Sequence, residues 1–299
     1  MKILCIGHAA YDITLPVDSF PIENKKMRLK EDKVECGGGP AGTASYLLAL
    51  WGIDTTFSGV VGDDYYGDKI KEEFKHVGVD ITYLETNNKA RTTSSYIIAN
   101  KSNGTRTIVT SKDPNLTYQK INSIEGEYDY LLVDGDEYPL SFKSIMERKG
   151  KTISMIDAGK CDEKTVKLAH IVDYLVCSND FARDYTGLPL DYLDLDSIKK
   201  VYDKLENDFQ NKIIITLEKH GSFTKINGEY ILVPSILVKA VDSTGAGDIY
   251  HGALLYFISQ KYELKKAMRL ANITSALSVL KIGGRYSIPS LEEVMSYDK

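Results

Sequence analysis

Cysteine is scarce: Cys5, Cys36, Cys161 and Cys177 are the only four in 299 residues, and no two form a C-x-x-C pair. That spacing argues against a disulfide framework and against a structural zinc site. Cys5 and Cys177 fall inside apolar runs, where a thiol behaves as a small buried hydrophobe. The five histidines show no H-E-x-x-H spacing. No apolar run approaches the roughly 20 residues that span a bilayer, so no membrane partner is expected. Positive charge is not in excess either. The formal net charge is −5, which provides no basic field for nucleic acid. Lys25, Lys26, Arg28, Lys30 and Lys33 alternate with Glu31, Asp32 and Glu35, as on a solvated strand surface. Internal repeats, low-complexity tracts and long linkers are absent. Gly150-Lys151-Thr152 looks like the tail of a P-loop, but Ile145 stands where its first glycine is needed. No protein-kinase signature set is present. The chain opens on an apolar strand, Lys2 to Ile6, which leaves no room for a signal peptide and suggests a cytoplasmic protein.

What is present is the alternation of a large α/β fold. From Tyr130 onward, β-branched and apolar runs (Tyr130–Val133, Thr152–Ile156, Tyr174–Cys177, Ile213–Leu217) alternate with amphipathic segments at 140–147, 163–170 and 195–206. This pattern predicts a parallel sheet with helices on both faces and ligands at the carboxyl ends of the strands. Asp134, Asp136, Asp157, Asn179, Asp180 and Glu218 fall just past those ends, and Asp12 follows the first strand. Thr92–Asn100 and Thr105–Thr110, joined by Lys101-Ser102-Asn103-Gly104, read as a hairpin with an Asn-Gly turn. With an exposed strand expected over Met27–Val34, they predict a small separate sheet. Arg91 and Arg106 bracket that hairpin.

Two glycine-rich stretches carry the chemistry. Gly37, Gly39 and Gly42 satisfy G-x-G-x-x-G, but the preceding strand is charged and Pro40 occupies the first helical position, a poor context for a dinucleotide. The glycines instead allow a polar ligand to lie against backbone N–H groups. Near the other end, a β-branched run through Ile236-Leu237-Val238 leads to Asp242-Ser243-Thr244-Gly245-Ala246-Gly247-Asp248 and then a helix from Ile249. Such a helix start presents unpaired N–H groups and a positive dipole end to an anion. Asp248, in its first turn, is placed to take a proton from a nucleophile beside a phosphate.

In order along the chain, Gly37 to Ala44, Val60-Val61-Gly62-Asp63-Asp64-Tyr65-Tyr66-Gly67 and Asp242 to Asp248 resemble the signature regions of the ribokinase-like (PfkB-type) carbohydrate kinases. The last is a near-complete D-[ST]-T-G-A-G-D match, and Thr216-Leu217-Glu218-Lys219-His220-Gly221 is similar to the nucleotide-side T-L-G-x-x-G segment. The resemblance covers the chain from Ile3 to Pro289. It implies an α/β fold: an αβα sandwich around a mostly parallel central sheet, with a core of residues 1–12, 36–90 and 112–299. The lid is expected over 13–35 and 91–111. It also implies transfer of the γ-phosphoryl of ATP, with Mg²⁺, to a sugar hydroxyl. Asp248 would be the general base, and Gly245, Ala246 and Gly247 the anion hole. Asp12, Gly38, Gly39, Thr43 and either Asp134 or Asp136 would hold the sugar. Asn179, Thr216, Glu218, Gly221, Asn272, Ala276 and Gly283 would line the ATP side, and Asp242 and Thr244 a monovalent-cation loop suited to K⁺.

Three features depart from that pattern. The family's N-x-x-E segment falls on Asn179-Asp180-Phe181-Ala182, without its second acid; Glu218 replaces a glycine; and Gly42 stands where ribokinase has a sugar-binding asparagine. Asn103 to Val109 is similar to the lid hairpin of ketohexokinases, which implies that Arg106 faces the phosphates, while Arg91 is placed to meet an anionic sugar substituent. A ketose or sugar acid is therefore the expected substrate. A nucleoside kinase using Tyr96 and Tyr11, and a catalytically silent sugar or nucleotide sensor, are the alternatives. A homodimer through the lid would cover its unpaired edges.

Overall fold

The computed structural model describes residues 1–298. The chain begins β1 (Lys2–Ile6), β2 (Ala10–Val17), β3 (Val34–Gly38), α1 (Pro40–Leu50), β4 (Asp54–Gly62), α2 (Tyr65–Val77) and β5 (Asp80–Asn87). The hairpin β6 (Ser94–Asn100) and β7 (Thr105–Ser111) follows. The alternating region supplies β8 (Tyr130–Val133), α3 (Tyr138–Arg148), β9 (Ile153–Ala158), α4 (Glu163–Ala169), β10 (Tyr174–Ser178), α5 (Asn179–Thr186), α6 (Leu195–Asp208) and β11 (Lys212–Thr216). A second hairpin, β12 (Ser222–Ile226) and β13 (Glu229–Val233), precedes α7 (Ala246–Ser259), α8 (Leu264–Ser278) and α9 (Leu291–Ser296).

A nine-stranded sheet runs in the order β13-β12-β11-β10-β9-β8-β1-β4-β5. Neighbours are parallel from β5 to β11, whereas the β11–β12 and β12–β13 pairs are antiparallel. Successive side chains of a strand alternate between faces, and that alternation builds two cores. Ile3, Cys5, Tyr130 and Leu132 pack with α1, α7 and α8, whereas Leu4, Ile6, Leu131 and Val133 pack with the α3–α6 side. The chain extends in opposite directions from the β1–β8 boundary. In a sheet of this kind, that boundary opens a crevice beyond the strands' carboxyl ends.

The second sheet has four strands, β3-β2-β6-β7, with β2 and β6 parallel and the other pairs antiparallel. Four expectations fail. Met27 to Lys33 forms no strand; its alternating charges are exposed, and pairing begins only at Val34. Gly37 and Gly38 therefore lie within β3, not in a turn, and Asp12 belongs to β2 of the small sheet, not to the loop beyond β1. Ile236 to Val238 is not a strand, so α7 is entered from a long irregular connection over 234–245. The small sheet is pinned to the large one by Asp64. Its carboxylate caps α2 through the Gly67 N–H at 2.9 Å and accepts the Thr92 N–H and hydroxyl at 2.8 and 2.7 Å.

Candidate active site

The irregular approach to α7 ends at Gly245, whose φ of 72° is left-handed and suits glycine. The turn then closes through a 3.3 Å bond from the Ala246 N–H to the Ser243 carbonyl. Ala246 is thus occupied, but among the described residues the Gly247 and Asp248 N–H groups have no backbone acceptor. They sit at the positive end of a 14-residue helix. The turn is held from behind by the Ser275 hydroxyl on the Ala246 carbonyl at 2.8 Å. His251 Nδ1 also lies 2.7 Å from the Gly247 carbonyl.

A cleft of about 1220 Å³ lies between the two sheets. Asp248 lines it, as do Gly245, Ala246, Gly247 and Thr244 from the turn, Asp12 and Gly39 from the small-sheet side, and Arg106 from β7. Asn179, Thr216, Glu218, Gly221, Asn272 and Ala276 line its other end. Residues separated by more than 200 positions in sequence therefore face one space. Burial pushes the Asp248 carboxyl up to about 6, with repulsion from Asp157 adding to the shift and His251, Arg106 and Arg285 opposing it. Asp12 is also pushed up to about 6 by burial, then by the Asp248 charge, against Arg285. Both remain largely ionised at neutral pH. Gly38 does not line the cleft but packs under Asp12: a Cβ there would lie 2.1 Å from Asp12 Oδ2.

Several expected site residues lie elsewhere. Arg91 projects into solvent, its side chain 80% exposed, and its backbone N–H donates to Asp113, so it meets nothing in the cleft. Asp136 is tied to Lys112 and Lys160 outside the cleft. Asp134 is spent on the His8, Ala41 and Asp136 N–H groups. Thr43 is buried within α1. Gly283 stands behind the turn, where its N–H donates to Asp242 Oδ2 at 2.9 Å. The other Asp242 oxygen accepts the Thr244 N–H and hydroxyl at 2.9 and 2.6 Å.

On the second side of the cleft, Asn272 donates to Ser222 Oγ and the Val233 carbonyl, fixing β12 and β13 beside the cavity. Glu218 holds a left-handed φ of 50°, the conformation that a glycine adopts without strain. Ala182, where the missing acid of N-x-x-E would stand, is fully buried, and Asp180 is paired with Arg183 at 3.0 Å.

Two cleft residues were given no role from sequence. His8 borders Asp12, and burial lowers it to about 4, so it is neutral. Asp157, at the end of β9, is buried, and its Oδ2 has no hydrogen-bond partner, with His251 Nδ1 at 3.2 Å. Its position at a strand's carboxyl end was the signal available.

The chain matches the family described as pfkB family carbohydrate kinase over residues 1–291. It is 25% identical to the ribokinase of Staphylococcus aureus (strain COL), covering 98% of both chains. It is 22% identical to a nucleoside kinase of Methanocaldococcus jannaschii, over 98% of this chain and 95% of the relative. Arabidopsis thaliana ribokinase, solved with ribose and ATP, has the same fold, with a TM-score of 0.81 at 20% identity over 99% of this chain and 97% of that one. The chain belongs to the pfkB family of carbohydrate kinases and is an ATP-dependent sugar kinase. Kinases of this family use ATP with Mg²⁺. Among the described residues, no helix is long and apolar enough to cross a membrane.

Proposed function

We propose that this kinase phosphorylates a hydroxyl of a small sugar, a ketose or sugar acid, with Asp248 as general base. One observation carries the reading: Asp248 lines the same cleft as Asp12 and stands beside N–H groups that have no backbone acceptor. In this reading Asp12, His8 and the Gly39 backbone hold the sugar. Asp248 accepts the proton of the attacking hydroxyl while the Gly247 and Asp248 N–H groups and Arg106 take up charge on the transferred phosphoryl group. Phosphoryl transfer requires this combination of positioning and charge stabilisation. The small sheet serves as the lid, excluding the water that competes with the sugar.

Asn179, Thr216, Glu218, Gly221, Asn272 and Ala276 form the ATP side. Mg²⁺, when bound, neutralises phosphate charge; the buried, unpartnered Asp157 oxygen and Asp180 beside the same cleft fit that role. Asp242 is a buried carboxylate with no cationic side chain paired to it among the described residues, and with Thr244 it fits K⁺. A second copy of the chain is inferred to cover β7, an edge strand exposed along its whole length. A monomer in sedimentation at micromolar concentration would remove that inference.

The small-sheet wall of the cleft favours a sugar over a nucleoside. Besides Asp12, Thr105 and Arg106 it presents Ala10, Ser95, Ile97, Ile108 and Thr110, with no aromatic face for a base; Tyr250, which also lines the cleft, belongs to α7. Tyr11 stacks on Tyr66 outside the cleft, and Tyr96 is exposed. The test is magnesium-dependent ATP consumption over a panel of ketoses, aldoses, sugar acids and nucleosides. Turnover confined to ketoses or sugar acids is expected. Preference for a nucleoside overturns the substrate reading, and no turnover with any member favours a sensor.

A further inference from the structure

Arg285 is the largest fully buried side chain in the protein, yet it carries a charge. It lies in the short turn after Gly283-Gly284, behind the phosphate turn, and its guanidinium reaches across to the sugar side. Nη1 pairs with Glu73 Oε2 of α2 at 3.2 Å, and Nη2 donates to the Gly38 carbonyl of β3 at 3.1 Å. The plane covers the Phe74 ring at 4.4 Å. Glu73 in turn accepts the Gly37 N–H with both oxygens, at 3.0 and 2.8 Å. One ion pair thus grips backbone groups of two consecutive residues of β3, Gly37 and Gly38, the second packed against Asp12.

The space for this pair comes from two glycines. A Cβ at Gly37 would lie 2.1 Å from Arg285 Nη1, and one at Gly42 would lie 2.7 Å from Nη2. Arg285 Nε has no hydrogen-bond partner. Burying an incompletely satisfied ion pair is a poor route to stability, since an apolar replacement of similar volume is often no worse. Such a pair is better explained by what it holds in place. The other end of the same loop is the Gly283 N–H bound to Asp242, and Gly284 Cα lies 3.4 Å from where a Cβ on Gly245 would stand.

We propose that Arg285, locked by Glu73, is a positioning residue that fixes the Gly37–Gly38 strand end, and with it Asp12, relative to the phosphate turn. Its side chain takes the room that Gly37 and Gly42 leave empty. The inference rests on the assignment of Asp12 to the sugar. Its electrostatic side agrees: the Arg285 charge favours the ionised form of both Asp12 and Asp248, against burial.

The experiment measures KM for the best sugar and for MgATP in R285M, E73Q, the double variant, and D12N as a control. Thermal melts confirm folding. R285M is expected to raise the sugar KM about tenfold or more while the MgATP KM stays within about twofold. E73Q should move the sugar KM in the same direction, and the double variant should equal R285M, because residues acting as one unit are not additive. G42A should also raise the sugar KM, and G42A/R285M should fall back to the R285M value. Folded R285M with both KM values unchanged overturns the proposal, as does an equal rise in both. If R285M does not fold, E73Q and G42A decide in the same way. D12N leaving the sugar KM unchanged would instead overturn the Asp12 assignment, which separates the two failures.

Discussion

Arg106 Nη1 donates to the Ser243 hydroxyl at 2.7 Å, joining β7 of the small sheet to the turn that opens α7. Gly104, at the hairpin tip, packs against Ala240 of the same approach segment. Arg106 is therefore docked two residues before Gly245, beside the turn proposed to hold the phosphoryl group. Removing it should lower turnover more than substrate affinity. R106A is expected to lose about 10²–10³ in kcat, on the scale of one charge-stabilising donor, with a sugar KM within a few-fold of wild type. Steady-state kinetics check this; an unchanged kcat would confine Arg106 to a structural tie.

Asp248 supplies the second prediction. Asn has nearly the same shape and cannot accept the proton, so D248N should fold and melt like wild type. Loss of a positioned base costs about 10²–10⁴ in rate. As the proposed base it must work ionised, and burial pushes its carboxyl up to about 6. The acid limb of kcat/KM should therefore bend near pH 6 and fall at least about tenfold per unit below it, since Asp12 is pushed up to about 6 as well. A limb that stays flat to pH 5 would place the proton acceptor elsewhere.

The sugar side can be tested through backbone space. Gly38 lies in β3, and a methyl there would meet Asp12 Oδ2 at 2.1 Å. G38A should turn the Asp12 carboxylate away from the cleft and raise the sugar KM about tenfold, with the MgATP KM held. Isothermal titration with ATP in place of turnover gives an independent check, because nucleotide affinity should not change.

Local pattern read the large sheet well. Its central strands β1, β8, β10 and β11 are mainly apolar runs, as expected of strands covered on both faces, and β8 falls where the sequence placed it, at Tyr130–Val133. The small sheet was harder to read. Charge alternation over 27–34 looks like an exposed strand, whereas pairing depends on what β2 offers and starts at Val34. The turn around Asp248 was legible because glycines, a small residue and an acid must be contiguous there. Arg91 was misplaced because an arginine beside a hairpin gives no sign of which side of the sheet it takes. Arg285 was invisible for the opposite reason: its partners, Glu73 and the Gly38 carbonyl, lie over 200 residues away, and only the fold brings them together.

Asp157 connects stability to the site. Burial, with repulsion from Asp134, pushes its carboxyl from an ordinary 3.8 up to about 8, and neighbouring His251 is held neutral by its own burial. Between those two pH values the folded protein keeps a proton that the unfolded chain has lost. Folding stability from this group is therefore complete below pH 3.8 and declines as pH rises toward 8. An asparagine cannot ionise and escapes that decline. D157N should match wild type in Tm near pH 4 and exceed it increasingly toward pH 8, by about 2–4 °C for each kcal/mol recovered. If Asp157 has the role proposed for it on the ATP side, turnover should drop as well, because its unpartnered oxygen is lost. Melts across this pH range, paired with activity at saturating Mg²⁺, check both halves. A Tm difference that does not change with pH would mean that Asp157 is ionised in the folded protein, held so by His251.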